Sequence, residues 1–331
     1  MTTKYVIFDC DGGSDDAWAL LMLIKAHQEK RIVLLGVTIC GCGNTDLENA
    51  AKNTLRILKA SDSLNIPVYL GASDPLLPKR QQESTFKFHG EDGFGDVLNE
   101  DDLNIKDFIS ESEHGVCKIN ELCSAKPKQI TLISTGPLTN IALCYAMYPN
   151  FANDVKDLFI MGGNYQGVGN FTRAAEFNFY CDPEAAHIVL EKSICPVTIL
   201  PWEPCMSDRF AVYLNWRLEV LGPLAETCNE AIKTLNKVEH AQYSTAGFEV
   251  WNPCDAMLTA VYLFENHAVS KSNKWHATVD VLGGHTRGQM VLDHLHEVDK
   301  NPKNVRIIED LNAEFFKTVA EWTVGLKTLN I

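Results

Sequence analysis

Short apolar runs rich in Val and Ile recur along this chain, and segments of helical period stand between them. The runs are Tyr5–Cys10, Val33–Cys40, Ile130–Ser134, Leu158–Met161 and Val197–Leu200. They are apolar throughout rather than alternating, as strands are when both faces of a sheet are buried. Helical segments follow at Asp15–His27, Leu47–Lys59, Leu138–Tyr148 and Pro183–Lys192. Neighbouring parallel strands need such crossovers, so the alternation restricts the chain to an α/β fold, with a mostly parallel central sheet and helices on both faces. Ligands in these folds bind beyond the carboxyl ends of the strands. Functional residues should therefore gather just after each apolar run.

The 331 residues suffice for one large domain or two ordinary ones. No repeat, low-complexity tract or linker-like segment divides them, so a single domain over 1–331 is expected. The stretch 207–265 reads as mostly helical. The stretch 275–331 reads as short strands (Thr278–Leu282, Val305–Ile308) and a final helix. Gly, Pro and charge mark 71–100 as a long surface loop.

The net charge of −14 argues against nucleic acid as a partner, because phosphate contacts need clustered Lys and Arg. No apolar run reaches the roughly 18 residues of a membrane span. The eleven cysteines include no C-x-x-C pair, and Cys40-Gly41-Cys42 is too short for a zinc knuckle. Free thiols in a reducing compartment are expected, with most of them packed as small hydrophobes. The N-terminus runs straight into a strand without an apolar signal region, so a cytoplasmic protein is expected.

The segment Asp9-Cys10-Asp11-Gly12-Gly13-Ser14-Asp15-Asp16 closes the first run and opens the first helix. Four carboxylates crowd into eight residues, and two glycines tighten the turn. Repulsion of that kind is relieved by a hard cation with oxygen ligands. A helix N-terminus near Asp15 also favours negative charge, and a plain capping role for Asp15 and Asp16 is the simpler alternative. That alternative leaves Asp9 and Asp11 without a reason. An EF-hand is excluded, because the sixth position counted from Asp9 is Ser14 and the twelfth is Leu20, where Gly and Glu are required.

Phe8-Asp9-Cys10-Asp11-Gly12 also resembles the nucleophile loop of haloacid-dehalogenase-type phosphatases, with Leu132-Ile133-Ser134-Thr135 as a second strand end. That family places its second acidic pair far downstream and uses a catalytic Lys. Neither has a convincing position here.

The full pattern resembles the nucleoside hydrolase family, the inosine–uridine preferring type N-ribohydrolases. The likeness begins at Asp9 to Asp16 as D-x-D-x-G-x-D-D. It continues through Val37-Thr38 to Gly43-Asn44, His89-Gly90-Glu91-Asp92-Gly93-Phe94-Gly95, and Ser134-Thr135-Gly136-Pro137-Leu138-Thr139-Asn140. Met161-Gly162-Gly163, Gly169-Asn170, Ala175-Glu176-Phe177-Asn178, Asp182-Pro183-Glu184 and finally Cys254-Asp255-Ala256 follow in the family's order.

The resemblance implies a single Rossmann-like domain and calcium-dependent hydrolysis of the N-glycosidic bond of ribonucleosides, a nucleoside salvage activity. It implies calcium held by Asp11, Asp16 and Asp255 through carboxylates and by Thr135 through its backbone carbonyl. Calcium suits such a set, since it accepts 6–8 oxygens in flexible geometry. Asp11 would be the general base for the activated water, and attack opposite the base would invert the anomeric carbon. Asp15 and Asn44 would hold ribose hydroxyls. His89, Met161, Asn170, Glu176, Phe177 and Asn178 would complete the nucleoside contacts. The resemblance also implies a homo-oligomer and a small-molecule nucleoside as the partner.

One departure bears on the leaving group. Many members place His before the last metal-binding Asp, and here that residue is Cys254, a packing residue by its chemistry. Stacking between Trp202 and Trp251 would activate a purine instead, which somewhat favours purine nucleosides; core or rim positions are the alternative for both indoles. His240 and Tyr243 are candidate leaving-group acids. Gly12 stands where the family often has Pro. Taken alone, Gly43-Asn44 reads as an ordinary turn and Asp182-Pro183 as a helix cap. Asn170-Phe171-Thr172 is formally a glycosylation sequon, for which sugar binding is the preferred reading. A non-catalytic nucleoside-binding protein on the same fold is the remaining alternative.

Overall fold

The computed structural model describes residues 3–78, 87–98, 103–110, 112–295 and 304–331. Its strands are β1 (Tyr5–Cys10), β2 (Val33–Ile39), β3 (Val68–Leu70), β4 (Ile130–Ser134), β5 (Asp157–Met161), β6 (Val197–Leu200), β7 (Val269–Trp275), β8 (Ala277–Val279), β9 (Met290–Leu292) and β10 (Val305–Leu311). The first helices are α1 (Ser14–Gln28), α2 (Leu47–Ala60), α3 (Gly115–Ala125), α4 (Thr139–Met147), α5 (Phe151–Asp154) and α6 (Phe177–Cys181). The later ones are α7 (Pro183–Lys192), α8 (Trp202–Cys205), α9 (Gly222–Ala225), α10 (Glu230–Ala246), α11 (Cys254–Ala268) and α12 (Ala313–Thr323).

The eight-stranded sheet runs β3-β2-β1-β4-β5-β6-β10-β7. All neighbours are parallel except β7, which lies antiparallel on β10 at one edge. The chain leaves β1 toward β2 on one side and returns to β4 on the other. This reversal of strand order opens a crevice at the carboxyl ends of β1 and β4.

Successive side chains of β1 feed different cores. Val6 and Phe8 pack under α1, α2 and α11, while Ile7 packs under α3, α4 and α7. Two-sided burial explains why the strands read as unbroken apolar runs. Helix α1 is buried along most of its length, from Ala17 to Ile24 without interruption. It lies between the sheet and α11, as a helix apolar on all sides must.

Strand β8 overlaps the start of the expected Thr278–Leu282 strand but ends at Val279, while β9, β3 and β7 are not legible in the sequence, being three residues long or polar. In the 71–100 loop, residues 79–86 and 99–100 lie outside the described residues. The described remainder carries neither helix nor strand, yet it is not all surface. Phe94 is wholly buried, and Asn53 of α2 donates to both the Gly12 and Asp92 carbonyls, tying this loop to the turn after β1.

Asp9 belongs to this framework and not to a metal site. It is wholly buried within β1, where its carboxylate accepts from Thr38 Oγ1 of β2 (2.5 Å), Asn140 Nδ2 of α4 (2.8 Å) and Ser134 Oγ of β4 (3.3 Å). Burial pushes its pKa up to about 6 against those bonds. A side chain so enclosed cannot act as a phosphatase nucleophile. Asp9→Ala leaves three buried donors without an acceptor. It should destabilise the chain by at least about 3 kcal/mol, read as a lower urea midpoint; an unchanged midpoint would contradict the tie.

Candidate active site

The strand-end crevice is built from acids. Asp11 follows β1 directly, and Asn44 holds both of its oxygens: the Asn44 backbone N–H donates to Oδ2 (2.9 Å) and its Nδ2 to Oδ1 (2.8 Å). Gly43 makes this approach possible, since a Cβ there would lie 1.7 Å from Asp11 Oδ2. Gly43-Asn44 is therefore more than an ordinary turn. Gly12 adopts φ +83°, which suits Gly and is closed to Pro, so this turn is not one that Pro could form.

Asp16 lies in the first turn of α1, accepting from Thr135 Oγ1 through Oδ1 (2.6 Å) and from the Gly13 N–H through Oδ2 (2.8 Å). It thus supplies one half of a capping box while facing the crevice. Asp255 opens α11 from the other side of the site. Oxygens of Asp15, Asp16 and Asp255 all lie within 4.8 Å of one another. Asp11 and Asp16 are near enough to share a hydrogen bond.

These four carboxyl groups hold their protons unusually tightly. Burial is the first cause for each. Mutual repulsion adds to it, raising Asp11 and Asp255 well above the usual range, while Asp15 reaches about 6. The buried Oδ1 of Asp15 makes no hydrogen bond. An all-oxygen donor set with an unsatisfied buried carboxylate oxygen fits a hard divalent cation. Of the expected metal ligands, Asp11, Asp16 and Asp255 come together as anticipated. The Thr135 carbonyl accepts from Asn178 Nδ2 (2.8 Å) beside them. The structure adds Asp15 to this group.

Above the acids lies a cavity of about 300 Å³, whose lining includes Asn44, His89, Met161, Asn170, Glu176, Phe177 and Asn178. All seven of these expected contact residues thus reach one space. Glu176 caps α6, accepting from the backbone N–H groups of Gly163, Asn178 and Phe179 at 2.8, 2.9 and 3.1 Å. Asn170 Oδ1 accepts the Phe177 N–H (2.8 Å), bracing the same loop. His89 Nδ1 accepts the Ser14 N–H (3.2 Å), which leaves the ring proton on Nε2, 3.5 Å from Asp15 Oδ1. Burial lowers its pKa to about 4, so the ring is neutral.

The same cavity is also apolar and aromatic. Trp202, Met206, Tyr243 and Phe248 line it, and Phe88 packs edge-on against both His89 and Tyr243. Tyr243 Oη accepts the Asn252 N–H (3.1 Å), so its own proton remains available to the cavity. Burial and the charge of Glu239 push this phenol well above its usual range and keep it protonated.

Two expectations fail. Trp251 is wholly buried away from the cavity, its indole N–H bonded to Glu239 and its ring edge-on to Trp18, so it cannot stack on a base. His240 is exposed on the outer face of α10 and does not line the cavity. Phe88, Phe248, Met206 and Asn252 line the cavity but went unread. They sit in loops or beside helix ends, where no periodicity marks a side chain as facing a site. Asp182 caps α7 through the Ala185 N–H (3.0 Å), as its Asp-Pro pair suggested.

The sequence profile described as inosine-uridine preferring nucleoside hydrolase matches residues 6–318. The pyrimidine-specific ribonucleoside hydrolase RihB of Escherichia coli strain UMN026 is 32% identical over 332 residues, covering 97% of each chain. A solved inosine-guanosine nucleoside hydrolase superposes with a TM-score of 0.85 at 24% identity, covering 99% of this chain and 100% of that one. A purine-preferring ribonucleoside hydrolase from Gardnerella vaginalis gives 0.83 at 23%, covering 97% and 98%. At those identities the two structures speak to the fold.

Glu176 carries a pH dependence. Burial raises its pKa from 4.5 to about 7. Between those values the folded chain holds a proton that the unfolded chain has released. Its stabilising share is full below about pH 4.5 and is lost as the pH rises through about 7. Glu176→Gln should flatten this part of the stability profile, measured by calorimetric melting across the window. A slope equal to that of the parent would contradict the assignment.

Proposed function

The chain belongs to the inosine–uridine preferring nucleoside hydrolase family, and from that premise we propose how its site cleaves the N-glycosidic bond of ribonucleosides to ribose and free base. The carrying observation is the crowded set of buried acids on a cavity whose lining also carries Phe88, Trp202, Tyr243 and Phe248. The acids suit a polyol and a cation, and the rings suit a planar base. The family excludes the phosphatase alternative, in agreement with the enclosure of Asp9.

Asp11, Asp16, Asp255 and the Thr135 carbonyl would hold calcium, with Asp15 close enough to join them or to take a ribose hydroxyl. A cation bound there would acidify water and orient the ribose diol. Asp11 takes the proton from the attacking water, and Asn44 keeps both of its oxygens aimed into the crevice. As the bond to the base lengthens, positive charge grows on the sugar ring. The acids on one side and the oxygen of Asn178 and carboxyl of Glu176 on the other stabilise that charge. Attack from the side of the acids, opposite the base, inverts the anomeric carbon.

Tyr243 is our choice for assisting the leaving base. Its phenol lines the cavity with its acceptor side engaged by Asn252, so it is a donor. The purine preference expected from a Trp202–Trp251 pair loses its support, because only Trp202 faces the cavity. A departing pyrimidine carries charge on its ring carbonyl oxygens, which a phenol donor can meet. The pyrimidine-specific RihB relative points the same way, so we favour pyrimidine ribonucleosides. The same reading takes 1–331 as one functional domain and includes a homo-oligomer. It also takes the cytoplasm as the location, which eleven cysteines without a disulfide suit.

Ribose release from a panel of purine and pyrimidine nucleosides tests this reading. Asp11→Ala should lower kcat by about 10³-fold, within the range of general-base catalysis, and a calcium chelator should abolish turnover. Nucleosides that raise Tm without being cleaved would make the protein a binder, against our reading. Tyr243→Phe should lower kcat by about tenfold or more while KM changes little. An unaltered kcat would remove Tyr243 from the leaving-group role.

A further inference from the structure

Next to the aromatic residues of the cavity lies a buried ion pair that the proposed chemistry does not use. Glu239 of α10 is almost wholly buried, and one of its oxygens, Oε1, accepts two indole N–H groups: Trp18 at 3.1 Å and Trp251 at 2.7 Å. Its other oxygen pairs with Arg217 Nη2 at 2.5 Å. Arg217 enters from a six-residue π-helical turn, Trp216–Leu221, a geometry that is rare and often marks functional sites. Its guanidinium lies 4.8 Å from the Trp18 ring centre and 5.6 Å from that of Trp251. Asn236 Oδ1 accepts from its Nη1 (2.6 Å).

The three elements gathered on this carboxylate are those that carry the site. Trp18 is one helical turn beyond Asp15 on α1. Trp251 stands four residues before Asp255. Glu239 is one turn before Tyr243 on α10. A second bond, Ser14 Oγ to Gln242 Oε1 at 2.8 Å, repeats the α1–α10 link next to His89. A buried ion pair is a poor source of stability, since apolar residues of the same volume serve as well or better. What an apolar cluster lacks is direction. One oxygen accepting two indole N–H bonds fixes where two segments meet.

We infer that Glu239 is a positioning residue: its Oε1, held in place by Arg217, sets the spacing between the acids on α1, the acid on α11 and the Tyr243 phenol. The inference rests on the reading of those acids and Tyr243 given above. Errors of about 1 Å in such spacing cost about 10²-fold in rate.

Two double variants separate the oxygen from the charge. R217M/E239Q removes both charges and keeps an oxygen for the two indoles. R217M/E239M removes the charges and the oxygen together at similar volume. Each is measured for kcat and KM of ribose release, for Tm, and for calorimetric binding of calcium chloride to the metal-free protein. R217M/E239Q should stay within about threefold of the parent in kcat and calcium affinity. R217M/E239M should lose about tenfold or more in both, with KM little changed. If R217M/E239M does not fold, W18F/W251F removes the same two bonds from the other side and should show the same losses. Equal activity and calcium affinity in the parent and whichever bond-deleting variant folds would overturn the inference. So would equal losses in both Arg217 doubles, which would assign the effect to charge. A parent that binds calcium but releases no ribose overturns the proposed reaction, while the calcium affinities still decide whether Glu239 spaces the acids.

Discussion

Everything in this structure answers to the repulsion among Asp11, Asp15, Asp16 and Asp255. Four carboxyl groups share one dry crevice, where charge interactions are far stronger than in water. The surrounding chain supplies partial compensation through hydrogen-bond donors and helix ends. Asn44 engages both oxygens of Asp11, and Thr135 and Gly13 engage Asp16. Asp15 and Asp16 occupy the first turn of α1, and Asp255 that of α11, where the helix dipoles favour negative charge. An unsatisfied oxygen on Asp15 remains, and a cation is the natural completion.

The fold provides the place where such an arrangement can exist. Strand order reverses between β2-β1 and β4-β5, so the chain diverges at the end of β1 and leaves room above it. Asp9 sits one step below, bonded into β2, β4 and α4, so the strand that carries the acids is anchored just before it ends. Rigid elements thus hold the acids. The aromatic lining is assembled from loop residues and from α10, whose position depends on the buried Glu239 group. This division suits a family that treats the sugar in one way and varies in the base.

The acidic set was legible because its residues lie close together in sequence or follow apolar strands. Asp11, Asp16, Asn44, Thr135 and Asn178, singled out by strand-end position and motif order, lie together around the crevice. Asp9 differs from its neighbours because it lies within β1, enclosed by donors from β2, β4 and α4, whereas Asp11 stands beyond the strand end and faces the crevice. The expectations for Trp251 and His240 failed on orientation. Proximity in sequence to Asp255 or Tyr243 says nothing about which way a ring faces, and one helical position separates the buried Glu239 from the exposed His240.

By itself the sequence determined the α/β alternation, the order of the parallel strands' motifs and the presence of an acidic turn after the first strand. These are local properties, written in runs of apolar residues, in glycines and in short-range charge. Tertiary structure alone decided that Asp15 joins Asp16 and Asp255, that Phe88 meets Tyr243, and that one oxygen of Glu239 gathers Trp18 and Trp251. Apart from the adjacent Asp15 and Asp16, and from Glu239 and Trp251, which are twelve residues apart, those contacts span long stretches of chain between elements whose packing angle no local pattern encodes. Side-chain direction at such meetings is set by the whole core.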